Sequence, residues 1–202
     1  MENKIQRNAI AYKRLEDFEY YICLGEKGKG YEIRLTFEDE DFPHLQGIRQ
    51  LDGTPYTGIL GKKLFEMSVS GEVEAEELKK SPKYESEHVS IKVDYLYLLE
   101  TALDHNDMVF RYSKDSSGRT SIKARFLLFT DIEGNEIYVY IDLRNNDSNE
   151  YVCCSFIANS DFDRLAGQKK LTLLWKEKKN VKKGTSVIQY QYKKFKPDDL
   201  KK

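Results

Sequence analysis

Hydrophobic positions change their spacing along this chain. Leu15, Phe18 and Ile22 recur three and four residues apart, the spacing of a helix face, and the glycines from Gly25 to Gly30 would end that helix. Tyr31, Ile33, Leu35 and Phe37 then alternate with Glu32, Arg34, Thr36 and Glu38, which predicts a half-buried strand. Leu60, Leu64 and Met67 give a second helical stripe, with Thr57 as a candidate N-cap and Gly71 as its stop. A third stripe, Val93, Leu96, Leu99 and Leu103, is interrupted by Glu100 and closed by the polar residues 104–107. From residue 108 the period falls to two. Strands are predicted over 108–112, 121–130, 136–144, 151–158, 171–177 and 187–195, with turn-rich connections at 131–135 and 145–149. Helices early and a meander late imply an α+β fold, with N-terminal helices packed on one face of a C-terminal antiparallel β-sheet. Neither repeats nor a low-complexity linker interrupts the pattern. Residues 1–202 are therefore expected to form a single domain, with 168–202 as a basic C-terminal strand extension and tail.

Alternation within the strands divides their faces. Ile137, Val139, Ile141 and Leu143 would meet the helices, leaving Tyr138, Tyr140, Asp142 and Arg144 on the other side. Ile122, Ala124, Phe126 and Leu128 likewise set Lys123 and Arg125 apart. In the next strand Val152, Cys154 and Phe156 read as buried, so Ser155 points outward. Such a face, aromatic and basic, suits single-stranded nucleic acid, with tyrosines for stacking and cations for phosphates. It also describes the ordinary wet face of an antiparallel sheet.

Charge adds an asymmetry. The 33 basic and 34 acidic residues nearly cancel, yet the segment from Gln168 onward holds 12 lysines against Glu177, Asp198 and Asp199. Its net of +9 leaves the preceding residues at −10 of the overall −1. A basic terminus on an acidic body is a nucleic-acid footprint or a solvated tail. The lysine-rich stretch 176–185 reads either as a hairpin gripping a phosphate backbone or as protection of a strand edge. Cys23, Cys153 and Cys154 form no disulfide framework and no zinc spacing, which fits a reducing cytoplasm. No signal-like or bilayer-length apolar run is present, so a soluble protein of the cytoplasm, without a membrane partner, is expected. Gly25, Gly28 and Gly30 make a poor phosphate cradle, because a helix pattern precedes them and a strand pattern follows.

The remaining chemistry gathers at Phe42-Pro43-His44-Leu45-Gln46-Gly47. Pro43 fixes its own φ and Gly47 can take a positive one, so His44 is held in a pinned turn after a strand. Imidazole titrates near neutrality and suits proton transfer; a histidine in such a turn can equally lock the loop through a backbone carbonyl. His105 reads as a helix C-terminal group and His88 as a loop residue.

This hexapeptide, preceded by a strand and followed by a helical segment containing Phe65, resembles the phenylalanine-x-histidine-leucine-x-glycine signature of phage-associated barnase, EndoU, colicin and RelE-like nuclease domains, specifically the fourth phage group. Cys154-Ser155-Phe156 and Leu173-Leu174-Trp175-Lys176-Glu177 are similar to that group's closing strands, so the resemblance spans about residues 10 to 180. The resemblance implies a metal-independent endoribonuclease of a phage or mobile element, acting in the bacterial host cell without a cofactor. His44 would be general acid or base, and Ser155 a phosphate contact, in a reaction driven by the ribose 2′-hydroxyl. Strand alternation adds Arg125 as the charge-stabilising catalytic cation and Lys123, Arg34, Tyr138 and Tyr140 as RNA contacts. RNA is the expected partner, with a host or antidote protein as the other class. A binding protein that keeps the nuclease-like fold without catalysis is the alternative: an RNA-binding module, or an inhibitor of a host defence protein whose acidic stretches 38–41 and 72–77 mimic nucleic acid.

Overall fold

The computed structural model describes residues 2–105, 107–114 and 121–201. The chain runs through α1 (Lys4–Leu15), β1 (Phe18–Glu26), β2 (Lys29–Leu35), α2 (Phe42–Leu45), α3 (Gly61–Ser70), α4 (Ala75–Leu78), α5 (Val89–Tyr95) and α6 (Leu99–Asp104). Six strands follow: β3 (Met108–Arg111), β4 (Phe126–Ile132), β5 (Asn135–Leu143), β6 (Glu150–Ala158), β7 (Lys169–Asn180) and β8 (Thr185–Gln191).

The expected open sheet with helices layered on one face does not hold. Strands pair in the order β1-β2-β6-β5-β4-β3-β7, and β7 pairs back onto β1, closing a seven-stranded barrel with β8 appended to β7. Closure rests on β7, whose 12 residues serve three partners: β1 along one edge, and β3 then β8 in succession along its length. The weak seam is β2 against β6, a parallel pairing of Arg34 with Glu150 and Leu35 with Tyr151. A closed barrel removes the exposed edges an open sheet would present.

The helix read through Phe18 and Ile22 is the first strand instead. Tyr20, Ile22 and Leu24 point inward and are buried, and both edges of β1 are hydrogen-bonded, so pairing outweighs the accidental helical spacing. The glycine-rich connector is its hairpin turn, with Lys27 and Gly28 both at positive φ as a two-residue turn requires. The helix near the N-terminus lies upstream, capped by the Asn3 side chain on Gln6 N. Gly71, at φ 87°, ends α3.

Inward-facing Ile22, Ile33, Ile137, Val139, Ile141 and Phe156 share one core with Tyr12, Phe42, Leu45, Phe65 and Leu103 from the short helices. The outer face of β4 and β5 is also apolar. Phe110, Leu127, Tyr138, Tyr140 and Ile157 form a separate cluster covered by Ile122, Ala124 and Leu165. That overturns the polar open face expected there. Among the described residues no helix is long and apolar enough to cross a membrane.

Candidate active site

Beyond β2 the chain is clamped before it reaches His44. Arg144, at the end of the β5 hairpin, donates to both carboxylate oxygens of Asp41 at 3.1 and 2.9 Å and to the Thr36 carbonyl at 3.3 Å. Glu38 closes on the same guanidinium at 3.1 Å. Asp41 immediately precedes α2, so this bidentate pair fixes where the helical turn begins. Phe42 then packs its ring 5.2 Å from Phe65 and 5.6 Å from Tyr12, while Leu45 enters the same core. Gln46 is buried, its Oε1 accepting from Asn8 Nδ2 at 3.0 Å. With its neighbours on both sides pinned, His44 is the exposed residue of the turn.

Gly47 follows at φ 86°, a left-handed conformation that glycine adopts freely. A β-carbon there would stand 2.9 Å from Val89 Cγ2 and 3.2 Å from Lys92 Nζ, both on α5. The motif's glycine is therefore required twice, by its dihedral and by the helix crossing over it.

Both α2 and α5 pack on β6, where the ladder is broken. Tyr140 faces Ser155 and Ile141 faces Cys153, leaving Cys154 unmatched in a bulge. Cys153 turns into the main core and Cys154 packs against the outer cluster. Cys154 Sγ donates to the carbonyls of Tyr140 and Lys123, each at 3.4 Å, which brings the segment before β4 alongside the bulge. Burial pushes the Cys154 thiol up to about 12 and raises Cys153 as well, so neither is a ready thiolate.

The His44 ring lies against this bulge. Withdrawal from water by the protein behind it, then the positive charges of Lys92 and Arg49, hold its pKa below the usual histidine range. Asp41 and the Cys154 backbone act weakly in the opposite sense. The imidazole is thus biased toward its neutral form in a field of two cations. Asp41, the carboxylate acting on it, is already engaged by Arg144.

The other sequence-derived residues distribute unevenly. Ser155 is half-buried and follows the bulged Cys154 directly. Lys123 is exposed, on the segment whose carbonyl receives the Cys154 thiol. Arg125 is exposed with Nε 3.4 Å from Asp142; it lines an open groove with Tyr21, Arg34, Tyr151 and Trp175, a lining that does not include His44. Arg34 is committed to Glu19 at 2.6 Å and Glu150 at 2.9 Å, which raises its pKa further. Tyr138 and Tyr140 are corrected from surface to core. They are 2% and 1% exposed, the Tyr138 hydroxyl donates to Glu136, and Arg164 donates to the Tyr140 hydroxyl, so neither ring offers a free face to a base.

Part of the basic C-terminal segment is engaged within the fold. Lys176 is buried and donates to the His105 carbonyl at 2.6 Å, and Lys178 reaches Asp104 and Glu100. The acidic stretches are partly neutralised too: Glu38 and Asp41 by Arg144, Glu76 and Glu77 by Lys79 and Lys80. Among the described residues no group of three or more His, Cys, Asp or Glu side chains is placed to hold a metal ion.

Two cations beside His44 escaped sequence reasoning. Arg49 lies in the 3-10 turn Ile48–Gln50 just past the motif. Lys92 had a legible signal, because Val89, Lys92, Val93 and Leu96 fall at helical spacing and so place the lysine on the buried stripe.

A model of the family described as phage-Barnase-EndoU-ColicinE5/D-RelE like nuclease4 matches residues 4–193. No match was found among curated proteins or among solved structures.

Proposed function

The chain belongs to the phage-Barnase-EndoU-ColicinE5/D-RelE like nuclease4 family, and from that premise we propose that it is a metal-independent endoribonuclease with His44 as its proton-transfer residue. The observation that carries this reading is the state of His44: an exposed imidazole on a clamped turn, biased toward neutrality by burial and by the charges of Lys92 and Arg49, while Asp41, the carboxylate that acts on it, is engaged by Arg144. A neutral imidazole at neutral pH is a base rather than an acid.

In the reaction the ribose 2′-oxygen forms a bond to the adjacent phosphorus as the bond from phosphorus to the 5′-oxygen breaks. His44 removes the 2′-hydroxyl proton, and a protonated group returns one to the departing oxygen. Charge that builds on the non-bridging oxygens is met by fixed cations, for which Arg49 is the arginine acting on the His44 ring. In this reading Ser155, beside the bulge, supplies a hydroxyl for the phosphate, and Lys123, exposed on the neighbouring segment, supplies an ammonium for the RNA backbone. Arg125, drawn to Asp142, serves the RNA beyond the scissile phosphate in this reading.

The test is incubation of the protein and its His44→Ala variant with end-labelled RNAs in EDTA. Products ending in 2′,3′-cyclic phosphate, reduced at least about 100-fold in the variant, support the reading. Binding of RNA without cleavage by the wild type favours an RNA-binding module instead.

A further inference from the structure

Lys92 is the residue of this region that neither the motif nor the fold accounts for. It occupies a core position on α5, and only 6% of its surface is exposed. Its flanking stripe residues, Val89 and Val93, belong to an apolar cluster with Ile5, Ile48 and Leu64. A lysine in such a place would be expected to meet a carboxylate or a set of carbonyls. Among the described residues no hydrogen bond or ion pair engages its Nζ, and the carboxylate that acts on it, Glu87, does so through its charge alone.

Two features direct that ammonium. Gly47 provides the surface beneath it, since a β-carbon at 47 would press on Lys92 Nζ and on Gln50 Oε1, each 3.2 Å away. His44, three residues earlier, feels Lys92 as the stronger of its two cationic neighbours. A buried charge that repels a functional histidine and has no internal partner is costly for stability alone; it becomes intelligible if an anion from outside completes it.

We propose that Lys92 is the phosphate-holding residue of the His44 site, its ammonium contacting a non-bridging oxygen of the phosphodiester on which His44 acts. The assignment rests on the nuclease reading for the identity of the anion, while the anion contact itself can be tested without turnover. With Lys92 on the phosphate, its share of the positive field on His44, which adds to the larger effect of burial, is offset on binding. The histidine then gains basicity when substrate arrives. Burial also pushes the lysine down to about 8, within reach of proton exchange near neutrality.

The experiment uses NMR of the full chain, following the His44 imidazole and the Lys92 side-chain Cε and Nζ signals. The probes are inorganic phosphate and a single-stranded oligodeoxynucleotide, which lacks the 2′-hydroxyl and cannot be cleaved by this route. In the wild type both probes should shift the Lys92 signals saturably and raise the His44 pKa. Lys92→Met should weaken oligonucleotide binding at least tenfold, raise the His44 pKa without ligand and abolish the phosphate-induced rise; Lys92→Arg should restore part of the binding. Unmoved Lys92 signals in the wild type, or undiminished oligonucleotide affinity in a folded Lys92→Met, overturn the assignment and leave the nuclease reading standing. Lys92-dependent binding in a protein that cleaves no RNA would retain the anion site and remove the nuclease reading. Should Lys92→Met not fold, the wild-type Lys92 signals still decide the outcome.

Discussion

A β-carbon on Gly47 would stand 3.2 Å from Lys92 Nζ, so the glycine of the histidine motif forms the floor under a buried ammonium. Gly47→Ala must place a side chain at φ 86°, which costs about 1 kcal/mol for a non-glycine residue, and must also push on Val89 Cγ2 at 2.9 Å. The expected loss is about 2 kcal/mol in urea unfolding. Since α5 carries Lys92, a displaced Lys92 should also be visible as a raised His44 pKa. A variant with unchanged urea midpoint and unchanged His44 titration would show that the two elements do not bear on each other.

Lys92→Met should stabilise the fold while impairing the proposed anion site. The folded pKa of about 8 lies below the unfolded value of 10.5, so the unfolded chain binds more protons between those values. Stability contributed by this group therefore rises with pH from about 8 to 10.5, and below 8 the full penalty of burying the charge is present. Removing the charge should recover up to roughly 3 kcal/mol at pH 7, and the rise in stability with pH above 8 should flatten. Paired urea unfolding curves at pH 7 and pH 9.5 give both quantities; a destabilised Lys92→Met would mean that the ammonium is satisfied in the native state.

The depressed His44 pKa predicts the shape of the pH–rate profile. If His44 is the base, as proposed, it must be neutral, so the acidic limb of cleavage should fall below pH 6.5, with activity lost as pH drops through the folded value. Arg49→Ala and Lys92→Met each remove a charge that opposes protonation, so each should move that limb upward, Lys92→Met by more because Lys92 is the larger electrostatic cause. Single-turnover rates at subsaturating protein, which report the groups of the unbound protein, measure it from pH 4.5 to 8. A limb that stays fixed in both variants would assign it to another group.

Arg144→Ala tests the clamp that sets the start of α2. The guanidinium is 16% exposed and Asp41 17%, and removing one partner leaves the other carboxylate half-buried beside Glu38. A loss of about 3 kcal/mol is expected, with Asp41→Asn,Arg144→Met together recovering part of it. Cleavage should fall even where the protein remains folded, because His44 loses its fixed position. Differential scanning of both variants beside cleavage rates at a temperature where each is folded separates the two effects.

What was legible in the sequence, and what was not, follows physical lines. The inward alternation of Ile137, Val139 and Ile141 is visible because one buried face imposes a period of two. The burial of Tyr138 and Tyr140 is not, since a tyrosine suits either a wet sheet face or a core where its hydroxyl finds a partner such as Glu136 or Arg164. Barrel closure is hidden because it depends on β1 being paired at both edges and on a two-residue parallel seam between residues 116 positions apart, Arg34 and Glu150. Of the site, the fixed turn at Pro43 and Gly47 could be read locally, while the influence of Lys92 and of the β6 bulge on His44 depends on packing of distant segments.

Tyr140 supplies the sharpest contrast between the surface read from alternation and the one the fold provides. Its ring is 1% exposed, meets Tyr112 edge-on at 5.2 Å, and receives a hydrogen bond from Arg164 Nη1 at 3.3 Å. Tyr140→Phe keeps the ring and loses that bond, so about 1 kcal/mol of stability should go while RNA affinity at fixed salt stays within twofold. Tyr140→Leu removes the aromatic packing opposite Ser155 in the bulged ladder, and a cost of about 2–3 kcal/mol is expected. If Tyr140 stacked a base, the order would reverse: Phe would preserve affinity and Leu would weaken it with little change in stability. Equilibrium unfolding and RNA binding on the same two variants therefore distinguish a core tyrosine from a recognition tyrosine, because only the first couples the loss to the unfolding midpoint.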